Sequence, residues 1–380
     1  MSNNLIEYFA ARQAEIVATL RRLVELESPS ENKAATDRLG VFIASQLREA
    51  GASVQLAPQT TAGDHLVAGF GDAAQRGAPI VTLCHIDTVW PMGTLETIPW
   101  SDKEGKLHGP GVFDMKAGAA MLLTALRYLR DTGTRPTHPL RMLFTTDEET
   151  GSDTSRAIIE AEAKKAALVI CLEPALPPNG ALKTFRKGTG GFTLKAFGRA
   201  AHAGADHQLG INAIEEISRQ VVALHHMTNY ELGTTVNVGV ISGGTVSNVV
   251  PDHAQIEVDF RVSTAAEGER LLKAIQGLQP QLHGARLEMM GGLNRPPMER
   301  TPLMVETFTR AQAIGAEMGL ELIEGATGGA SDGNFTAALG VPTLDGMGAV
   351  GNGGHAVTEH VIASSLPERT ALLAAILAQW

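Results

Sequence analysis

The chain has 380 residues, 44% of them hydrophobic and 19% charged, with a formal net charge of -10. That balance belongs to a globular protein, and the length exceeds what one hydrophobic core usually serves, so two domains are expected. The acidic excess offers no basic face for nucleic acid, and no run approaches the roughly 18 apolar residues of a membrane span, so neither partner is expected.

Residues 5–26 intersperse apolar positions with Arg12, Glu15, Arg21, Arg22 and Glu25, as an amphipathic helix does, and lack the unbroken apolar stretch of a signal peptide. Three apolar runs follow, each ending in ligand-type residues. Residues 79–87 close on His85 and Asp87, 140–149 on Asp147, Glu148 and Glu149, and 167–173 on Glu173. Helical patterns over 118–130 and 154–165 separate them. This alternation predicts a largely parallel α/β sheet covered on both faces, and such sheets bind ligands beyond the carboxyl ends of their strands. The only cysteines, Cys84 and Cys171, lie inside apolar runs, which fits buried thiols in a reducing cytoplasm better than a disulfide scaffold.

From about residue 191 the pattern changes. Strands are expected at 192–197, 234–241, 254–262 and 285–290, with helices at 212–227 and 265–278. That β-α-β-β-α-β order is the split ferredoxin-like unit, a small domain inserted into the larger one. The chain then returns with a helix at 301–320, a short buried strand at 341–344 and a closing helix at 364–380. The expected division is therefore 1–185 and 295–380 for the larger domain and 186–294 for the insertion, with Pro-rich stretches 174–180 and 295–302 at the crossings.

His85 and Asp87 share a face of an extended backbone, so the aspartate can hold the ring nitrogen that a ligand histidine leaves over. A buried, hydrogen-bonded histidine is the commoner outcome of such a pair. Asp114 lies in a loop too rich in glycine for a helix, directly before one, where an N-capping turn is the plain alternative. The crowded acids of 147–149 repel one another unless something positive sits among them. Together with His355, in a Gly-rich loop, these residues supply nitrogen and oxygen ligands for two borderline cations, which suits zinc.

The segments HIDTV (85–89), GPGVFDMKAG (109–118), TTDEETGS (145–152), CLEP (171–174), AAHAGADHQLGINA (200–213) and GNGGHA (351–356) resemble, in order, the motifs of the co-catalytic dizinc amidohydrolase and peptidase family. That family includes glutamate carboxypeptidases of the carboxypeptidase G type, acetylornithine deacetylase, succinyl-diaminopimelate desuccinylase and aminoacylase. The resemblance covers nearly the whole chain. It implies an α/β fold: a mostly parallel-sheet dizinc catalytic domain with an inserted ferredoxin-like α+β dimerisation domain. It further implies two Zn2+ ions per chain, with Co2+ or Mn2+ as possible substitutes. Asp114 would bridge them, His85 and Glu173 completing one site and Glu149 and His355 the other. Glu148 matches the general base, and Asp87 orients His85. His202 matches a histidine that reaches across a homodimer interface to the partner's oxyanion. Asn248 and Arg261 match positions that hold the substrate's free carboxylate, and Arg295, in Asn-Arg-Pro-Pro-Met, resembles a further carboxylate contact of glutamate carboxypeptidases. The peptide after the bridging aspartate, Asp114–Met115, is expected to be cis.

His207 and Gln208 stand where the family usually has Pro and Glu, and Ala356 where it often has Ser. Neither change touches a ligand, but both bear on the substrate mouth. Three functions are in view: a carboxypeptidase releasing a terminal amino acid from a peptidyl or N-acyl amide, an N-acyl amino acid deacylase, and a silent binding homologue. A missing ligand or base would favour the last, and none is missing. For the deacylase reading the ambiguous segment is 328–334, read as a flexible loop and a candidate lining of the leaving-group pocket. Zinc thiolates at Cys84 and Cys171 are disfavoured, since strand alternation turns each away from its ligand neighbour.

Overall fold

All six residues of Ile80–His85 are buried, so this strand needs cover on both faces, and it lies inside a six-stranded sheet rather than at its edge. The computed structural model that shows this describes residues 2–71 and 77–380. Ile80–His85 pairs in parallel with Leu140–Thr145 on one side and with Leu168–Cys171 on the other, and Thr343–Leu344 extends the parallel set. His65–Phe70 and Ser53–Ala57 close the opposite edge as antiparallel strands. His85 stands opposite Thr145, and Leu83 opposite Cys171, so the three strands end together. This register carries His85, the 147–149 acids and Glu173 to one edge of the sheet.

The two antiparallel strands carry no clear sequence signal. Ser53–Ala57 is an edge strand whose exposure does not alternate, so a period-2 pattern is absent. The helix before it, Lys33–Glu49, starts where the Asn32 side chain accepts a hydrogen bond from the Ala35 N–H at 3.1 Å. The amino-terminal segment forms two helices, Ser2–Ala10 and Gln13–Glu25, instead of the one expected. No proline or glycine causes the break. Arg12 closes the first helix, donating to the Tyr8 carbonyl at 3.1 Å and lying 3.7 Å above its ring.

Ala117–Thr132 is built of alanine and leucine and is buried almost all round, between the sheet and the helices Gln13–Glu25 and Ser365–Gln379. A side chain at Gly118 would run into the carbonyl of Leu172, the residue before Glu173. The helix therefore lies directly against the strand end that carries a candidate ligand. Among the described residues no helix is long and apolar enough to cross a membrane.

Residues 186–299 with 327–330 form a second compact unit. Its sheet runs Thr235–Gly243, His253–Val262, Gly188–Phe197, Arg286–Arg295, antiparallel throughout. Helices Ala213–His225 and Ala265–Gln276 cover one face, where Phe192, Leu194, Ile256, Val258 and Phe260 meet Ile217, Leu224, Leu271 and Ile275. The Asn212 and Thr264 side chains cap these helices. This is the ferredoxin-like order. The strand begins at Gly188, earlier than its apolar alternation suggests, because the glycines of 188–191 carry no pattern. The unit also extends past the expected end at 294. Arg186 and Met298 exchange backbone hydrogen bonds of 3.0 Å, and Lys187 N–H donates to the Thr327 carbonyl at 3.2 Å.

Gly118→Ala is expected to lower unfolding free energy by about 1–3 kcal/mol through overpacking, measured as a reduced denaturant midpoint at unchanged slope. A wild-type midpoint would mean the helix can withdraw from Leu172 at no cost.

Candidate metal centre

At the carboxyl edge of the sheet His85 is buried, with Nδ1 3.1 Å from the Asp87 carbonyl and 3.6 Å from Asp87 Oδ1. The main-chain oxygen, rather than the expected carboxylate, is therefore the nearer partner that fixes the ring. Nε2 points the other way, 3.1 Å from Asp114 Oδ1 and 3.6 Å from Glu173 Oε1. On the far side of Asp114, His355 Nε2 lies 3.5 Å from Oδ2 and 3.1 Å from Glu149 Oε2. The two oxygens of one aspartate thus face two different imidazoles, each with its own glutamate. Donor atoms of a tetrahedral zinc site with bonds near 2.0 Å stand about 3.3 Å apart, which is the spacing found on both sides. Atoms of His85, Asp114 and Glu149 all lie within 4.8 Å of one another. The donor set fits a pair of divalent cations.

Local backbone explains how the ligands converge. Gly111 has φ +70°, and a Cβ there would meet Thr88 Cγ2 at 2.5 Å, so only glycine suits the turn before Asp114. The Asp114–Met115 peptide is cis, as the resemblance implies. His355 has φ +62° and follows Gly353 at φ +78°, a left-handed stretch that turns the imidazole back toward Glu149. Glu148–Thr150 is a single 3-10 turn. Its first N–H groups, of Glu148 and Glu149, donate to the Asp87 carboxylate at 3.3 and 3.1 Å, and Ser30 Oγ donates to it at 2.8 Å. Asp87 therefore positions both the His85 ring and the glutamate pair. Asp147, the first of the three crowded acids, turns inward and accepts from Thr154 N–H and Oγ1 at 2.7 Å and from Ser155 N–H at 3.3 Å.

Burial alone would lower the His85 pKa, yet Asp114, Asp87 and Glu173, with the charge of Glu148, hold it well above the ordinary value. Asp114 and Glu149 push the His355 imidazole up to about 11. Burial would raise Asp114, but His355 and His85 keep its carboxyl well below the usual range. Glu149 is raised, by burial first, against the pull of His355. Side-chain exposure is 2% for His85 and 51% for His355, so the site opens to solvent on the His355 side. Burial pushes the Cys84 thiol up to about 12, which makes it a poor thiolate ligand.

The remaining candidates belong to the second unit. His202 is exposed, and its Nδ1 accepts from the N–H groups of Gly204 and Ala205 at 3.1 and 3.0 Å. Asn248 is next to it, its carbonyl accepting from Ala203 N–H at 2.9 Å. Arg261 and Arg295 flank Thr189 on the same rung of the sheet, and Arg261 pairs with Asp259 through Nε and Nη2 at 3.0 and 2.9 Å. The expected loop lining at 328–334 is corrected in part: Ser331, Asp332 and Asn334 are buried, with Asp332 accepting from Ser152 Oγ at 2.5 Å beneath the acidic turn. Lys183, Nζ 3.6 Å from Glu173 Oε2, and the buried Glu359 were missed by sequence reasoning. Neither sits in a recognisable motif. Asp147 was visible as part of the acid cluster, but nothing local told which acid faces inward.

Residues 81–379 match the family model described as peptidase family M20/M25/M40. The chain is 28% identical to carboxypeptidase G2 of Pseudomonas sp. (strain RS-16) over 381 aligned residues, covering 99% of this chain and 91% of that one. It is 31% identical to succinyl-diaminopimelate desuccinylase of Verminephrobacter eiseniae, covering 76% and 75% respectively. In fold it is similar to the YXEP protein of Bacillus subtilis, described as a dinuclear metal binding peptidase from the M20 family. The TM-score is 0.69 at 17% identity, over 97% of this chain and 98% of that one.

The carboxylates that raise the pKa of His85 and His355 favour the protonated rings in the cation-free protein, and metal ligation requires them neutral. Cation uptake is therefore expected to release protons, and affinity to rise with pH. Titration calorimetry in buffers of different ionisation enthalpy reads the release directly; affinity that stays flat between about pH 6 and about pH 8 would contradict it.

Proposed function

Because the chain belongs to peptidase family M20/M25/M40, we propose that this metallohydrolase is a dizinc carboxypeptidase of the glutamate type. Its substrate is an N-acyl or peptidyl amino acid, and its product the C-terminal amino acid. The observation that carries the reading is Asp114, whose two oxygens each face a separate histidine and glutamate. His85, Asp114 and Glu173 would hold one zinc, and His355 and Glu149, with the other oxygen of Asp114, the second. When bound, such a pair polarises the scissile carbonyl and acidifies a water. Glu148 takes the water's proton and passes it to the leaving nitrogen. Its backbone is held by Asp87, so the base keeps its place while the neighbouring Glu149 serves as a ligand.

His202 acts on the oxyanion in the partner subunit. With Nδ1 accepting two amide protons, the neutral ring carries its hydrogen on Nε2, the tautomer an oxyanion donor needs. A homodimer through the inserted unit is favoured by its sheet: the edge strand Thr235–Gly243 exposes Val240 and Ile241, an apolar edge that a two-fold pairing would cover. Asn248, Arg261 and Arg295 receive the substrate's carboxylates. The two arginines stand on one rung, a spacing suited to an amino acid with more than one acid group. The desuccinylase likeness supports a second reading, in which an N-succinyl or other N-acyl amino acid is deacylated with the same residues.

Release assays over N-acyl glutamates, dipeptides and N-succinyl diamino acids separate the two readings; faster turnover of the succinyl compounds would displace the carboxypeptidase. Glu148→Gln is expected to keep both cations and lose about 10²–10⁴-fold in kcat, whereas Glu149→Gln weakens cation binding itself. Equal metal loss in both would reverse the assignment.

His202→Ala is expected to cost about 10²–10³-fold. Mixing it with Glu148→Gln chains should restore activity, since one site of each mixed dimer keeps both groups. No recovery after demonstrated subunit exchange would show that His202 does not work across an interface.

A further inference from the structure

Three segments bear on the candidate centre: the end of the Ile80–His85 strand running on to Trp90, residues 109–116 with Asp114, and residues 351–359 with His355. One buried side chain joins all three. Glu359, four residues after His355, is 3% exposed. Its Oε1 accepts from the backbone N–H groups of Phe113 at 2.9 Å and Asp114 at 3.0 Å. Its Oε2 accepts from Gly111 N–H and from the Trp90 indole Nε1–H, both at 3.0 Å.

These amides have no helical partner to fall back on. Asp114 and Met115 have φ/ψ of -113°/96° and -130°/36°, outside any helix, and Gly111 is left-handed. Buried N–H groups in such a loop need acceptors from elsewhere in the fold, and one carboxylate supplies three of them. The same residue is held on its own side, its N–H donating to the Ala356 carbonyl at 2.8 Å. The main chain at Asp114, from which both bridging oxygens hang, is thereby tied to the loop that presents His355.

We infer that Glu359 is a positioning residue that sets the Asp114 loop against the His355 loop, so that both cation sites form together; this rests on the dinuclear reading above. Glutamine cannot replace it. Each carboxylate oxygen faces two donors, and an amide NH2 in either place would confront two N–H groups, leaving both unsatisfied. Trp90 contributes one of the four donors and none of the amides, so its loss is the milder form of the same fault.

The test is Co2+ titration of the metal-free full-length protein, followed by the visible spectrum, with unfolding midpoints measured alongside. Glu359→Gln is expected to bind Co2+ about 10- to 100-fold more weakly, with an altered spectrum, and to lose kcat at nearly constant KM. Trp90→Phe should shift affinity in the same direction by about 2- to 10-fold, and decides the matter if Glu359→Gln fails to fold. The control is Glu216→Gln in the second unit, another buried carboxylate, which accepts from Leu282 N–H at 2.7 Å and Gln281 N–H at 3.0 Å. It should lower the midpoint and leave Co2+ affinity as in the wild type. Wild-type affinity and spectrum in both Glu359→Gln and Trp90→Phe would overturn the inference, as would an equal affinity loss in Glu216→Gln. If the wild type itself binds no Co2+, the dinuclear reading fails and the inference falls with it.

Discussion

Like charge confined at one sheet edge is the constraint on which the rest depends. Asp87, Asp114, Asp147, Glu148, Glu149 and Glu173 all lie near the carboxyl ends of three parallel strands, where burial removes the water that would screen them. The fold answers in two ways. The Asp87 carboxylate and Asp147 Oδ2 accept from N–H and hydroxyl donors, which makes these two residues parts of the scaffold. Asp114, Glu149 and Glu173 face imidazoles, whose raised pKa values record the unspent negative potential of the site. A pair of divalent cations at this donor set would supply positive charge where the raised histidine pKa values show that it is favoured.

The scaffold is rigid where this requires it. A parallel sheet buried on both faces ends its strands in register, and the alanine-rich helix Ala117–Thr132 lies so close to Leu172 that only glycine fits at 118. The backbone that carries Asp114 and His355 is irregular, and Glu359 accepts from the amides of Gly111, Phe113 and Asp114. Precision at the ligands thus comes from satisfied backbone donors around them as much as from packing beneath them.

The second unit solves a different problem. Its helices bury one face of a four-stranded antiparallel sheet, and the other face and one edge stay exposed. Arg261 and Arg295 are brought level only by strand order, since 33 residues of chain lie between them while Thr189 stands between them on the sheet. Fixed strand register is what gives two sequence-distant cations a defined spacing.

By itself the sequence determined the kinds of element and the kinds of ligand. Apolar runs ending in His85, Glu149 and Glu173 marked strand ends, because a buried parallel strand must be continuously apolar and its first polar residue marks the exit from the core. The β-α-β-β-α-β order of the inserted unit was legible for the same reason, through alternation in 254–262 and helical spacing in 212–227. Tertiary structure alone decided what each acid does. Asp147, Glu148 and Glu149 are adjacent and chemically alike, and only the partners that the fold brings near, Thr154 donating to Asp147 and His355 beside Glu149, divide them into a scaffold residue, a candidate base and a candidate ligand. The same holds for Glu359, whose partners lie about 250 residues earlier in the chain: a hydrogen bond acts over about 3 Å, and no local pattern encodes which distant amides will arrive within that reach.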